Sequence, residues 1–260
     1  MFETIRISTD DRGVARLTLA RAEKHNAMNA QMIAELTHAA VDLGADDSVR
    51  VVVLDADGKS FCAGGDLGWM KGQMDASPDQ RAAGARELAT MLGALNRMPK
   101  PLIGRVQGQA FGGGIGLMAV CDISIGAQGL KFGLTETRLG LIPATISPYV
   151  IKRMGEAKAR QVMMAAAFFD STEAQVLGLL AKVVAAKGLD AAIEAEIEPY
   201  LSVAPRAVEK TKRLIREQGG EITQAQIDAS IVALVEAWED REAREGITAF
   251  FAKKKAPWAG

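Results

Sequence analysis

At 260 residues the chain is long enough to bury a large core, and its 31 Lys plus Arg nearly cancel 32 Asp plus Glu, leaving a formal charge of −1. That balance supplies no global field to gather nucleic acid or an anionic membrane surface. Two cysteines, Cys62 and Cys121, make no disulfide framework and are expected as reduced, buried thiols, and no apolar run reaches the roughly 18 to 20 residues of a membrane span.

The start, Met1-Phe2-Glu3-Thr4-Ile5-Arg6, lacks a basic segment followed by a long apolar run, so a cytoplasmic location is expected. Thr4–Ser8 and Val14–Leu19 read as a strand pair around Asp10-Asp11-Arg12-Gly13. Residues 29–43 carry Met32, Ile33, Leu36, Ala40 and Leu43 at helical spacing, with a stop at Gly44. Val49–Asp55 is a continuous apolar strand. Ser77-Pro78 supplies an N-cap and a proline at the first helical position for a helix to about Arg97, where Pro99 and Pro101 end it.

A further strand over 101–106 leads into Phe111-Gly112-Gly113-Gly114-Ile115-Gly116, with a helix expected over Gly114–Val120 and a strand over Asp122–Ile125. Ile142 to Pro148 opens another helical region, Asp170-Ser171-Thr172-Glu173 has the pattern of a helix-start box, and Lys182–Ala186 is a last short strand. From Leu189 onward the pattern is helical only: 189–203, 205–218, 224–238 and 241–251. Strand–helix units followed by a helical tail predict an α/β core. The tail must pack on that core or on another subunit, because its apolar stripes cannot all bury against one another.

Three segments carry chemistry. Phe61-Cys62-Ala63-Gly64-Gly65-Asp66-Leu67 and Phe111 to Gly116 are glycine-rich turns that follow strands and lead towards helices. The first turn of a helix leaves its N–H donors unpaired, so two such turns side by side have the makings of an oxyanion hole; either turn alone is equally an ordinary tight turn. The second turn lacks the Lys-Ser/Thr ending of a P-loop, and no G-x-G-x-x-G opens the first strand–helix unit, which leaves little ground for nucleotide hydrolysis or an NAD site. The third segment is Lys131 to Pro143, where Glu136 sits among apolar residues. Desolvation there would raise its pKa and make it a proton carrier near neutral pH; pairing with Arg138 or a nearby lysine is the alternative. His25 has no serine elbow beside it and His38 lies on a helix face, so both are expected in structural or surface roles. Two His and two Cys, far apart in sequence, predict no metal site.

Taken in order, these segments resemble the crotonase superfamily, the enoyl-CoA hydratase/isomerase family. The matching pieces are 22–29 (AEKHNAMN), 61–67 (FCAGGDL), 108–114 (GQAFGGG), 121–123 (CDI), the 132–143 run and 245–255 (EGITAFFAKKK). The resemblance spans essentially the whole chain. It implies a spiral of repeated ββα units over 1–195 and a C-terminal helical region over 196–260 that drives trimerisation, often to a dimer of trimers. It implies an acyl-CoA substrate, with coenzyme A as part of the substrate and no separate cofactor. By position, the backbone N–H groups of Gly65 and Gly113 would hold the thioester oxygen and Glu136 would move the proton. The CoA side would lie along Lys24, Asn26 and Ala27 and along Ala63, Gly64, Asp66 and Leu67. Phe250 and Lys253 match positions through which a neighbouring subunit's tail closes over CoA; an exposed basic helix end is the alternative for them.

The chain departs from the best-known hydratases at one point. Those use two glutamates on one water; Glu136 matches the second, but the first position is Gly116. Family members with one carboxylate shift a double bond instead. A narrower resemblance, through 111–117, 140–150 and Asp66-Leu67-Gly68-Trp69-Met70, is to a bacterial subgroup associated with methylglutaconyl-CoA hydratase of leucine breakdown, with relatives acting on isoprenoid glutaconyl-CoA esters. A cation, Arg138 or Lys71, would neutralise the second carboxylate of such substrates. The sequence is therefore read as an enoyl-CoA hydratase-type lyase acting on a branched 2-enoyl-CoA. The rivals are a Δ3,Δ2-enoyl-CoA isomerase with Glu136 as sole base, and a non-catalytic RNA- or protein-binding module of the same fold. Near-neutral charge, with only Lys253-Lys254-Lys255 as a basic patch, argues against RNA.

Overall fold

The computed structural model describes residues 2–260. Ten strands form two sheets: β1 (Ile5–Thr9), β2 (Val14–Leu19), β3 (Val51–Ala56), β4 (Ser60–Cys62), β5 (Leu102–Val106), β6 (Gln109–Phe111), β7 (Ile123–Ala127), β8 (Lys131–Gly133), β9 (Phe168–Asp170) and β10 (Lys182–Val184). The larger sheet has the order β1-β2-β3-β5-β7-β10 and the smaller β4-β6-β8-β9. Pairing is parallel except for β1 with β2 and β8 with β9.

Eleven α-helices are interleaved with and follow the strands: α1 (Ala30–Ala45), α2 (Leu67–Asp75), α3 (Pro78–Arg97), α4 (Gly113–Val120), α5 (Ser147–Met154), α6 (Glu156–Met163), α7 (Ser171–Val176), α8 (Leu189–Leu201), α9 (Pro205–Gln218), α10 (Gln224–Glu239) and α11 (Arg241–Phe251). The pairs β3/β4, β5/β6 and β7/β8 each place one strand in each sheet before the chain turns helical. This is the expected spiral of ββα units.

Strand β3 shows why the larger sheet forms. Val52 and Leu54 face one cluster with α1 and α3 residues such as Leu36 and Leu92. Val51 and Val53 face another with Ile193 and Ile197 of α8. A parallel strand covered on both faces needs a continuous apolar run, which is what the sequence supplies. Helix starts follow their caps. Asn29 accepts from the Met32 N–H, and Ser77 with Gln80 and Asp170 with Glu173 form reciprocal capping boxes.

The junction expected at residue 195 falls inside α8, which shares a cluster with Val14, Ile103 and Ile125 of the larger sheet; this helix goes with the core because its apolar stripe is buried there. The tail beyond it folds back on its own chain. Ile227 and Ile231 of α10 pack on Ala85 and Ala89 of α3, and Ala243 and Ile247 of α11 pack with Leu139 and Leu141. Arg81, buried on α3, pairs with Glu239 and lies 5.6 Å from the Trp238 ring centre, pinning α10 down. Helix α9 buries none of its residues fully. Among the described residues no helix is long and apolar enough to cross a membrane.

Candidate active site

The two glycine turns meet backbone to backbone. Gly64 has φ of 95° and Gly112 φ of 49°, conformations that favour glycine. A Cβ on Gly64 would lie 3.1 Å from the Phe111 carbonyl oxygen and 3.8 Å from the Gly113 nitrogen. The first turn is clamped by the 25–28 loop: the Met28 N–H donates to the Gly64 carbonyl at 2.7 Å and the Asp66 N–H to the Met28 carbonyl at 2.9 Å. The second is held by the Gly112 N–H, which donates to Gly133 of β8 at 3.0 Å. Gly113 then opens α4, where no intrahelical acceptor exists for its N–H. Among the described residues neither the Gly65 nor the Gly113 N–H donates to a backbone carbonyl. Both residues line one cavity of about 500 Å³.

Glu136 opens a 3-10 turn, 136–139, and lines the same cavity. Its Oε1 lies 2.9 Å from where a Cβ on Gly112 would stand; its Oε2 is buried with no hydrogen-bond partner. Burial pushes the carboxyl up to about 7, against the pull of the Glu136 and Thr135 backbone N–H groups. Of the two sequence readings of Glu136, the desolvated carboxylate is the one found. The Arg138 guanidinium goes elsewhere, donating to the Ala166 carbonyl at 2.7 Å and stacking 4.3 Å from the Phe168 ring centre.

The other expected ligand residues divide into two groups. Ala63, Gly64, Leu67 and Phe250 line the cavity. Phe250 does so from α11 of the same chain, whereas the resemblance implied a neighbour's tail; the fold-back of α10 and α11 is the reason. Lys24 and Lys253 are exposed and outside the cavity wall. The side chains of Asn26 and Asp66 are spent on the loop. Asn26 accepts from the Arg21 N–H and donates to the Asp57 and Ser60 carbonyls. Asp66 caps α2 and pairs with Arg21 at 3.1 Å. Ala27 is buried, and its carbonyl accepts from the Arg21 guanidinium. Any contact of Asn26 or Ala27 to a ligand would have to come from the backbone.

His25 Nδ1 meets the Ser60 hydroxyl at 3.0 Å, but Ser60 is buried and absent from the cavity wall, so the pair anchors a loop. His38 pairs with Asp42 on the exposed face of α1. Cys62 and Cys121 are free and buried, and burial pushes both thiols up to about 12, far from a thiolate nucleophile. Sequence reasoning passed over Met28, Trp69, Thr145, Leu234 and Trp238, all of which line the cavity. Met28, Trp69 and Thr145 lay in segments already marked, 22–29, 66–70 and 142–148, whereas Leu234 and Trp238 lay on a helix read only for its apolar spacing.

The Gly116 position is closed by hydrocarbon. A Cβ there would lie 2.6 Å from Ile146 Cγ2 and 3.1 Å from Ile146 Cβ, with Leu92 at 3.7 Å. Ile146 is β-branched and stiff, so a longer side chain at 116 has nowhere to go. Gly to Ala inside a helix ordinarily stabilises by about 1 kcal/mol. Here Gly116→Ala is expected to destabilise by about 1–3 kcal/mol through overpacking, read from urea unfolding. Unchanged stability would show that Ile146 can step aside.

The family model described as enoyl-CoA hydratase/isomerase matches residues 9–260. The enoyl-CoA hydratase AFT6-1 of Alternaria alternata is 33% identical over 206 residues, which are 79% of this chain and 67% of that protein. The crystal structure of an enoyl-CoA hydratase from Shewanella pealeana has a TM-score of 0.81 at 36% identity, covering 99% of this chain and 96% of that one. An enoyl-CoA hydratase from Mycobacterium avium has a TM-score of 0.89 at 28% identity, covering 99% and 100%.

Proposed function

The chain belongs to the enoyl-CoA hydratase/isomerase family, and we propose that within it the protein is a hydro-lyase that adds water to, or removes it from, a branched 2-enoyl-CoA. The observation that carries the reading is one cavity holding both free-standing glycine turns and a carboxylate poised at about 7. The Gly65 and Gly113 N–H groups hold the thioester oxygen. Glu136 takes a proton from water as the oxygen bonds to C3, and the displaced π electrons settle on the thioester oxygen as an enolate. The enolate then re-forms the carbonyl and takes that proton from Glu136 at C2. One carboxylate balances the sequence, because the proton it removes is the proton it returns. Binding of the CoA portion positions the acyl chain, and the fixed N–H dipoles stabilise charge that exists only after the first step.

Isomerisation is the second reading, favoured by one feature: the hydrocarbon that fills the Gly116 position. Shifting a 3-enoyl to a 2-enoyl double bond needs only one base and the same oxyanion hole. Incubating 2-enoyl and 3-enoyl thioesters of linear, branched and dicarboxylic acids in deuterated water separates the two. A hydroxyacyl product supports the lyase; deuterium uptake with a moved double bond and no hydroxyacyl product supports the isomerase.

For the acyl group we propose a dicarboxylic chain of the methylglutaconyl type. Arg138 lines the cavity and is the cation that could meet a distal carboxylate; Lys71 is exposed and outside the wall. Arg138→Ala is expected to raise the Michaelis constant for a dicarboxylic enoyl-CoA about tenfold, the scale of one charge-assisted hydrogen bond, while a monocarboxylic thioester and the Lys71→Ala variant show no change. An equal effect on both thioesters would remove the carboxylate role. A trimer or dimer of trimers is proposed likewise, with the exposed Leu214 and Ile215 of α9 as apolar surface for it to cover.

A further inference from the structure

Resting on the hydratase reading, we infer that the Thr145 hydroxyl is the second polar contact for the attacking water, in the cavity whose wall it shares with Glu136. A water held by a lone carboxylate is free to swing about it. In the two-glutamate arrangement the other carboxylate prevents this, but here Gly116 offers no side chain and Ile146 occupies the space one would need. Thr145 immediately precedes Ile146, in the loop between the Glu136 turn and α5. The residue that closes the old position is thus preceded by one whose hydroxyl has no partner.

Thr145 lines the cavity, is 4% exposed, and its Oγ1 is buried with no hydrogen-bond partner. Buried hydroxyls are nearly always paired, so an orphan on a residue of the cavity wall points to a partner that arrives with the substrate or water. The other polar side chains are placed differently. Thr135 also lines the cavity, but it is half-buried and its hydroxyl is not a buried orphan. Arg138 donates to the Ala166 carbonyl and is the cation assigned to the acyl carboxylate. Tyr149 also has an unpartnered hydroxyl, but it is not part of the cavity wall. A threonine hydroxyl donates one hydrogen bond and accepts others without changing charge. It therefore orients water and moves no net proton, leaving Glu136 to take and return it.

The test is the ratio of two reactions. Hydration needs the water held; deuterium uptake at C2 of a 3-enoyl-CoA needs only Glu136 and the oxyanion hole. Thr145→Val, which keeps the shape, is expected to lower hydration kcat/KM about tenfold, the scale of one lost hydrogen bond, with deuterium uptake within about twofold of wild type. Thr145→Ser, which keeps the hydroxyl, is expected to hydrate nearly as the wild type does. Wild-type hydration by Thr145→Val overturns the proposal, and so does an equal fall in both reactions, which would mark a purely structural residue. A wild-type enzyme that exchanges deuterium yet hydrates no thioester would instead bring down the hydratase reading itself.

Discussion

Glu136→Gln is expected to lower turnover by about 10²–10⁴-fold on any thioester the wild type accepts, the contribution of a positioned general acid–base group. Glutamine keeps the shape and cannot take a proton. The pH dependence follows from burial. With the carboxyl at about 7, hydration kcat/KM should fall tenfold per unit below that pH, since the base must be ionised to accept a proton from water. The same burial sets a stability signature of the opposite sense. The raised pKa means the folded state holds a proton that the unfolded state, near the ordinary value of 4.5, has released. The stability this gives is fully present below pH 4.5 and is lost as pH rises to about 7, by about 3 kcal/mol. Glu136→Gln lacks that loss, so the gap in unfolding free energy between variant and wild type should move in the variant's favour across this window and level off above it. A gap that does not change with pH would mean the carboxyl is solvated, and full turnover by the variant would remove Glu136 from the mechanism.

What could be read from the sequence was what local chemistry dictates. Ser77-Pro78 and Asp170 with Glu173 mark helix starts because capping is satisfied within four residues. Val51 to Leu54 marks a strand buried on both faces because no polar residue interrupts it. Gly64 and Gly112 mark the site because the backbone conformations there favour glycine. The smaller sheet was not legible: its strands are three residues each, too short to display a period of two. The closing of Ile146 over Gly116, and of Phe250 over its own chain's cavity, joins residues 30 and more than 100 positions apart through packing alone. The side chain of Asn26 is settled the same way: the tight 25–28 turn buries it, and its amide bonds to Arg21, Asp57 and Ser60. Capping groups, strand runs and special glycines are local; the choice of which polar side chains are left over for chemistry is made by the tertiary structure.

The oxyanion hole makes the second large prediction, and backbone donors need a backbone test. Gly113→Pro removes the N–H at the first position of α4, where proline's fixed φ suits the helix and no intrahelical bond is lost. Any side chain at 113 also meets the Cε of Met28, so the proline variant alone would confound a lost donor with a displaced methionine. Gly113→Ala is the control: it displaces the same flexible side-chain end and keeps the N–H. The ratio of the two isolates the donor, and Gly113→Pro is expected to turn over about 10²–10³-fold more slowly than Gly113→Ala, the cost of one oxyanion donor. The loss should fall on kcat more than on KM, because the oxygen carries full charge only once the enolate forms and the ground-state thioester gains little from the same bond. It should appear equally in hydration and in deuterium uptake from a 3-enoyl-CoA, since both pass through that enolate. This separates the donor from Thr145, whose loss is expected in hydration alone. Equal rates for Gly113→Pro and Gly113→Ala would assign the thioester oxygen to other donors and leave the free N–H of α4 a consequence of helix geometry only.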